Sequence, residues 1–97
     1  MLDKRQFYIN GKWVYPTETN DYQVINPSNE KSIATISLGT IKEVNLAVKA
    51  AKKAFLTWSS VEKKEKINLL ENLLKIYESR WDEITKIMSD EMGAPLD

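Results

Sequence analysis

The amino-acid sequence predicts an α+β fold in which short strands come first and helices follow. Up to about residue 39, β-branched and aromatic residues are interrupted by turn residues, as in short strands. After that point, apolar residues recur every three or four positions, which is the spacing of amphipathic helices. We therefore expect two hairpin-like strand pairs over about 7–38 and two or three helices over about 41–58, 60–78 and 79–92.

The first strand pair is expected to turn at Asn10 and Gly11. These residue types tolerate positive φ, which a type I′ turn requires at both of its central positions. A two-residue turn would place Tyr8 opposite Trp13. Pro16 should end the second strand, because proline has no N–H to donate to a ladder.

A second hairpin is expected around residues 26–29, which read Asn-Pro-Ser-Asn. Asn at the first position and Pro at the second favour a type I turn. The flanking strands would cover residues 22–25 and 33–38. Because an isolated hairpin is only marginally stable in water, these strands need a packing partner.

The first helix is predicted to begin after Thr40, because Thr40 and Glu43 three residues later match a capping box. An apolar stripe follows at helical spacing, and core packing explains it better than a cofactor role. The stripe consists of Ile41, Val44, Val48, Ala51, Phe55 and Trp58.

A second helical stretch is expected to start at residue 59 or 60, because Ser59 and Glu62 match another capping box. Gly93 and Pro95 should end the helical region. An unbroken helix over 61–92 would be about 48 Å long, whereas a compact domain of this size is roughly 33 Å across. Either the stretch breaks near residue 79, or its apolar side packs against protein outside this chain. A coiled coil is a further alternative.

Composition excludes several classes of function. The 97 residues include 14 basic and 14 acidic side chains, so no basic excess favours nucleic acid or anionic lipid. The absence of Cys excludes a disulfide framework, and with no His either, a structural zinc site is not expected. Neither a signal peptide nor an apolar run of membrane-spanning length is present, and we expect a cytoplasmic protein.

No side chain in the sequence has the pattern of a catalytic group. The serines at 59, 60 and 79 have no His or Lys base signature and are interpreted as helix caps. The carboxylates at 82, 83, 90 and 91 are interpreted as solvated or capping charges. We therefore expect neither catalytic nor cofactor-binding residues in this chain.

Several short motifs, taken in order, resemble the N-terminal segment of the aldehyde dehydrogenase superfamily. Each motif alone occurs in many folds, whereas their order and spacing together are specific. The matching segments are 7–13 (FYINGKW), 24–30 (VINPSNE), 33–36 (IATI), 48–55 (VKAAKKAF), Trp58, Leu69, Leu70, Leu73, 82–83 and 90–96 (DEMGAPL).

The resemblance implies an enzyme that oxidises an aldehyde to a carboxylic acid, or in some branches to a thioester, with NAD or NADP. In the family, a Cys thiolate attacks the carbonyl, hydride passes to the nicotinamide, and a Glu-activated water releases the acid. These groups and the cofactor-binding glycines lie beyond residue 97 in the family. The resemblance thus implies that the piece alone is inactive and binds no cofactor.

The resemblance also implies that the chain is one part of a larger protein. Residues 1–97 would form the first, incomplete portion of the α/β cofactor-binding domain and would support it structurally. The partners would be the remainder of the aldehyde dehydrogenase chain and further copies in a homo-oligomer. One site is also implied: the backbone carbonyl of Ile25, with or without that of Val24, would be a ligand of a monovalent cation.

Two other hypotheses remain open at this point. The chain could be a free-standing helical interaction or oligomerisation module that uses the stripe over 67–88. It could also be a functionless remnant, which would show poor hydrogen-exchange protection throughout.

Overall fold

In the computed structural model, which describes residues 1–96, five short strands precede three helices. The order of the elements agrees with the α+β prediction. The strands are β1 (Leu2–Asp3), β2 (Phe7–Ile9), β3 (Lys12–Val14), β4 (Asp21–Asn26) and β5 (Lys31–Ser37), and the helices are α1 (Ile41–Trp58), α2 (Lys63–Ser79) and α3 (Trp81–Met92).

Strands β2 and β3 form the first predicted hairpin. Asn10 and Gly11 have φ angles of 53° and 75°, so the turn has the positive φ at both positions that its sequence favours. Tyr8 pairs with Trp13, and their ring centroids lie 5.1 Å apart. β3 ends before Pro16, as expected.

Strands β4 and β5 form the second predicted hairpin, and β1 extends it to a three-stranded sheet in the order β1-β5-β4. The parallel pairing of Leu2 with Ala34 was not predicted, because a two-residue strand carries no periodic signal. The prediction of two strand pairs therefore omitted the edge strand. The register of β4 and β5 also shifts between Val24 and Ile25, where β5 carries one extra residue.

Helix α1 begins with the predicted capping box, in which the Thr40 side chain accepts from the helix and Glu43 accepts from Thr40. Its alanine-rich side lies against the first hairpin. A shallow groove there is lined by Tyr8, Ile9, Asn10, Gly11, Ala47, Ala50, Ala51 and Ala54.

The predicted capping box at Ser59 and Glu62 is wrong. The Ser59 N–H donates to the Phe55 carbonyl at 3.0 Å and so closes α1. The chain then turns, and α2 begins at Lys63 with Glu62 as its N-cap and without a side-chain capping bond. The N–H groups of residues 59–61 donate to the last carbonyls of α1, so this stretch ends one helix and does not cap the next.

The predicted break near residue 79 is present. Arg80 adopts φ −109° and ψ 16°, which is not helical, and it separates α2 from α3. The Ser79 hydroxyl donates back to the Ile76 carbonyl at 2.7 Å, which satisfies one carbonyl at the end of α2. The long unbroken helix is thereby excluded.

The molecule is open and thin, with principal extents of 48 × 37 × 15 Å. Its accessible surface is 8396 Å², whereas a closed monomer of 11.2 kDa would expose about 5,700 Å². Within residues 1–96, Pro16 and Ala34 are the only buried apolar residues. Most large apolar side chains therefore face water, and the thickness corresponds to little more than one layer of elements.

Candidate functional site

The described residues contain no group of three or more His, Cys, Asp or Glu side chains that could hold a metal ion. The chain also has neither a Cys nucleophile nor a His base. No helix within residues 1–96 is long and apolar enough to cross a membrane. The features of interest are therefore a backbone turn, a buried carboxylate and an apolar groove.

The turn after β4 is built on Asn26, which is buried. Its side-chain oxygen accepts the Ser28 N–H at 2.9 Å, and its backbone carbonyl accepts the Glu30 N–H at 2.8 Å. Glu30 takes φ 61°, a left-handed conformation that returns the chain into β5. These bonds fix the turn over residues 26–30, and the sequence predicted a type I turn over residues 26–29.

Ile25, the predicted cation ligand, lies immediately before this turn. It stands at the register shift opposite Ser32, and 45% of its surface is exposed. The neighbouring Val24 is half-buried and pairs with Ala34. The carbonyl of Ile25 thus lies at an irregular place in the ladder, on an accessible residue.

Gly93, which caps α3, lies directly against this turn. Its φ of 71° is left-handed, which glycine adopts without steric cost. A Cβ atom at Gly93 would come within 2.9 Å of the Ser28 nitrogen and 3.0 Å of the Pro27 Cγ. The sequence predicted the helix stop, but it gave no signal for the contact across 65 residues.

Glu43 is the most tightly held carboxylate, with 6% of its surface exposed. One oxygen accepts the Thr17 N–H at 2.6 Å and the Thr17 hydroxyl at 2.8 Å. The other accepts the Thr40 N–H at 2.8 Å and the Thr40 hydroxyl. These donors, led by the Thr40 hydroxyl, lower the pKa of Glu43 from 4.5 to about 2. Glu43 therefore clamps the loop before β4 to the start of α1.

The position of Glu43 also affects whether the N-terminus of α1 could bind a cofactor phosphate. Helix N-termini bind phosphate through their free N–H groups and positive dipole, but at α1 a carboxylate already occupies that position. The first turn of α3 carries Asp82 and Glu83, which disfavour an anion there. The three glycines of the chain are separated from one another in sequence. Neither of these two helix N-termini therefore favours a dinucleotide phosphate.

Two of the four carboxylates that the sequence interpreted as solvated or capping charges, Glu83 and Asp90, form ion pairs on α3. Arg80 binds Glu83 at 2.7 Å, and this hydrogen bond lowers the pKa of the Glu83 carboxyl. Lys86 binds Asp90 at 2.6 Å. Both pairs lie on the surface, where water screens them and each stabilises little.

An open apolar groove of about 420 Å³ runs along α3 from the elbow at Arg80. The rings of Tyr77 and Trp81 meet edge to face across the elbow, with centroids 5.6 Å apart. The groove is lined by Tyr77, Trp81, Ile84, Thr85, Met88, Ser89, Met92, Ala94 and Pro95. The sequence predicted these side chains as a stripe, but not their arrangement around a bend.

Comparison with known proteins identifies a family. The model of the aldehyde dehydrogenase family matches residues 13–97. Among curated proteins, 3-succinoylsemialdehyde-pyridine dehydrogenase of Pseudomonas sp is 49% identical over 96 residues. The alignment covers 99% of this chain and 20% of that relative. The chain thus spans about a fifth of the length of the curated relatives it matches.

Solved structures give the same result. An aldehyde dehydrogenase from Bartonella henselae superposes with a TM-score of 0.99 and 47% identity, covering 100% of this chain and 20% of that chain. Aldehyde dehydrogenase C from Pseudomonas syringae, a mutant in complex with NAD+ and octanal, gives a TM-score of 0.92 and 30% identity. It covers 95% of this chain and 19% of that chain. The open shape described above therefore matches a segment of much larger proteins.

Proposed function

This chain belongs to the aldehyde dehydrogenase family, and we propose that it is the N-terminal part of an enzyme that oxidises an aldehyde to a carboxylic acid with NAD or NADP. The observation that carries the proposal is the superposition of the whole chain on one fifth of an aldehyde dehydrogenase, at a TM-score of 0.99. A relative crystallised with NAD+ and an aldehyde supports the reaction class.

Within that enzyme, the proposed role of residues 1–97 is structural. The chain has no Cys or His, and its most buried carboxylate, Glu43, is saturated by donors from Thr17 and Thr40. A group held in this way cannot accept a substrate proton at neutral pH. We therefore propose that the segment forms the first portion of the cofactor-binding domain, and that it neither binds the cofactor nor catalyses the reaction alone.

A hybrid enzyme, made from this chain and a longer relative, tests the proposed function. The matching fifth of the Pseudomonas 3-succinoylsemialdehyde-pyridine dehydrogenase is replaced by this chain, which is 49% identical to it. The hybrid should oxidise 3-succinoylsemialdehyde-pyridine with NAD or NADP, whereas the 97-residue chain should give no reduced nicotinamide. Activity of the chain alone, or an inactive hybrid, would contradict the proposal.

We also propose that the Ile25 carbonyl is one ligand of a monovalent cation in the longer enzyme. Support comes from its position at a register shift, on an exposed residue beside a fixed turn. The other ligands would come from the rest of the polypeptide. The apparent unfolding temperature of the hybrid enzyme should differ between sodium and potassium chloride and fall in choline chloride. Equal values in all three salts at one ionic strength would contradict this site.

Assembly into a homo-oligomer and a cytoplasmic location are further proposals for the longer enzyme. The alternative function, a free-standing helical interaction module, is favoured by one observation: no residue of α2 or α3 is buried. The two functions differ in the hybrid experiment. A module predicts an inactive hybrid and a defined oligomer of the 97-residue chain, whereas the enzyme segment predicts an active hybrid.

A further inference from the structure

The chain is neutral as a whole, but its charges are unevenly distributed along the helices. Residues 41–66 contain seven lysines and three glutamates, whereas residues 67–97 contain three basic and seven acidic side chains. An excess of four positive charges in the first part is thus balanced by an equal negative excess in the second. The zero net charge, which disfavours anionic partners, is therefore an average over two oppositely charged regions.

Helix α1 collects much of the positive charge on one side. At 100° per residue, Lys42, Lys49 and Lys53 lie within about 40° of one another, and all three are exposed. They span about 16 Å along the helix at a rise of 1.5 Å per residue. Two exposed leucines, Leu46 and Leu56, lie within about 40° of Lys42 on either flank of this line. These five residues are here called the lysine side of α1.

The rest of the segment leaves the lysine side free. The alanines of α1 that line the groove against the first hairpin are centred roughly 130° away around the helix. Within residues 1–96, the three lysines form no ion pair. Glu43 does not neutralise them, because it is buried and accepts hydrogen bonds from Thr17 and Thr40. The ammonium groups are therefore available to a partner outside the segment.

The arrangement of these charges indicates which class of partner fits. A second copy docked through the same side would bring ammonium groups together, and like charges in contact repel. A single phosphate or carboxylate is much smaller than the span of about 16 Å, and lysines one or two turns apart on a straight helix do not converge on one point. The lysine side therefore fits an extended anionic surface.

The two leucines distinguish a lipid surface from a nucleic acid. Single-stranded nucleic acid stacks its bases on aromatic side chains, but the aromatic residues of α1, Phe55 and Trp58, lie on the opposite side of the helix. Leu46 and Leu56, which are 55% and 75% exposed, would gain nothing from duplex phosphates. At an anionic bilayer, lysines bind the headgroups while apolar side chains enter the boundary with the acyl chains. The combination of lysine and leucine thus favours lipid.

We propose that the lysine side of α1 is a docking surface for an anionic lipid bilayer. The three ammonium groups bind headgroup phosphates, and Leu46 and Leu56 reach the acyl boundary. A lysine near such a surface strengthens binding about fivefold, so three lysines give on the order of 100-fold over a neutral bilayer. This attachment is peripheral and weakens as salt rises. It is a property of the segment beyond its place in an aldehyde-oxidising enzyme.

The experiment measures how the hybrid enzyme sediments with phosphatidylcholine vesicles, with and without about 30% phosphatidylglycerol, at about 0.1 M salt. A double variant, Lys49→Gln with Lys53→Gln, removes two charges from the lysine side. The matched control, Lys12→Gln with Lys31→Gln, removes two exposed charges from the strand region. Both pairs change the net charge of the protein equally, so only the position of the lysines differs.

The variant on the lysine side should bind the anionic vesicles about tenfold more weakly or worse, and the control should stay within about twofold of the unmodified hybrid. Equal losses in the two pairs would overturn the proposal, because attraction would then depend on net charge alone. Failure of the unmodified hybrid to bind, or equal binding to vesicles without phosphatidylglycerol, would overturn it as well.

A second double variant, Leu46→Gln with Leu56→Gln, tests the apolar part. It keeps every charge and should weaken binding to the anionic vesicles roughly fivefold. Unchanged binding would indicate a site for any polyanion, nucleic acid included, and would overturn the bilayer as the partner. Sedimentation does not require aldehyde oxidation, so an inactive hybrid contradicts the proposed function without deciding this test. The same variants of the 97-residue chain give the comparison if the hybrid is insoluble.

Discussion

The strands of residues 2–37 and the helices α2 and α3 differ in whether their side chains are buried. In the strands, ladders pair the backbone groups, and the sheet supplies three of the buried side chains: Asn26, Ala34 and Ser37. In α2 and α3 the backbone hydrogen bonds run within each helix, but neither helix has a side-chain cap at its start and no residue is buried. Local hydrogen bonds thus form within the segment, whereas the apolar contacts that stabilise helices require more protein than these residues provide.

The largest expected effect concerns the exposed helices. The 97-residue chain should associate as its concentration rises, because apolar patches above a few hundred Å² drive association. Trp81→Asp should shift association to higher concentration, while Asn68→Asp on the polar side should not. Light scattering over a concentration series measures this. A wild-type chain that stays monomeric throughout would show that the helices are satisfied without a partner.

The second prediction concerns the contact between the two regions at Gly93. Gly11 and Gly93 both have positive φ, but a Cβ at Gly11 meets nothing within 4 Å, whereas one at Gly93 meets the turn at 2.9 Å. Gly11→Ala should cost about 1 kcal/mol for the left-handed backbone alone. Gly93→Ala should cost roughly 2–4 kcal/mol, because backbone strain is added to steric overlap.

Denaturant unfolding of the two variants in the hybrid enzyme measures this difference. Equal losses would show that α3 moves away from the turn at little cost. The contact between the strand region and α3 would then be weaker than the distances indicate.

The third prediction is a pH dependence of the strand region. The pKa of Glu43 in the folded chain, about 2, lies below the ordinary 4.5, so the unfolded chain binds a proton more readily. The stabilisation by Glu43 is therefore complete above about pH 4.5 and is lost as the pH falls towards 2. Glu43→Gln should lower stability at neutral pH and flatten this acid dependence.

Urea midpoints at several pH values check the third prediction. Glu83→Gln serves as the control, because its carboxylate binds Arg80 on the surface. If both variants flatten the acid dependence equally, the clamp to Thr17 contributes nothing specific.

The smallest expected effect lies at the junction of α1 and α2. The Lys66 ammonium stands 5.0 Å from the centre of the Trp58 ring. Lys66→Met should cost about 0.5–1 kcal/mol through loss of the cation–π contact. A double-mutant cycle with Trp58→Leu isolates this contribution, and a coupling energy near zero would show that the two side chains act independently.

The sequence predicted those elements whose determinants lie close together in the chain. Asn10–Gly11, Thr40 with Glu43, and Gly93 each specify a local conformation through their own φ angles or caps, and the structure agrees with all three. Ser59 and Glu62 matched the same cap pattern, but Ser59 closes α1, and Glu62 is the N-cap residue of α2 without a side-chain bond. A cap pattern alone does not tell which of two adjacent helices it belongs to.

Features that depend on distant residues were not predictable in this way. β1 pairs with β5 across more than thirty residues, and Thr17 reaches Glu43 across 26. The contact of Gly93 with the turn after β4 is of the same kind. The local sequence pattern does not predict these contacts, because they depend on how the strands and helices pack against one another. The site at Ile25 remains a prediction, since it depends on residues outside this chain.

The exposed apolar side chains of α2 and α3 have a consequence for biosynthesis. In a relative five times as long, the ribosome makes the matching segment first, and at 5–20 residues per second the other four fifths take roughly 20–80 s more. During that interval, the apolar side chains of the nascent helices are exposed to water, because the residues that would bury them have not been synthesised. Until those residues are made, the exposed apolar side chains of the helices favour association with other chains.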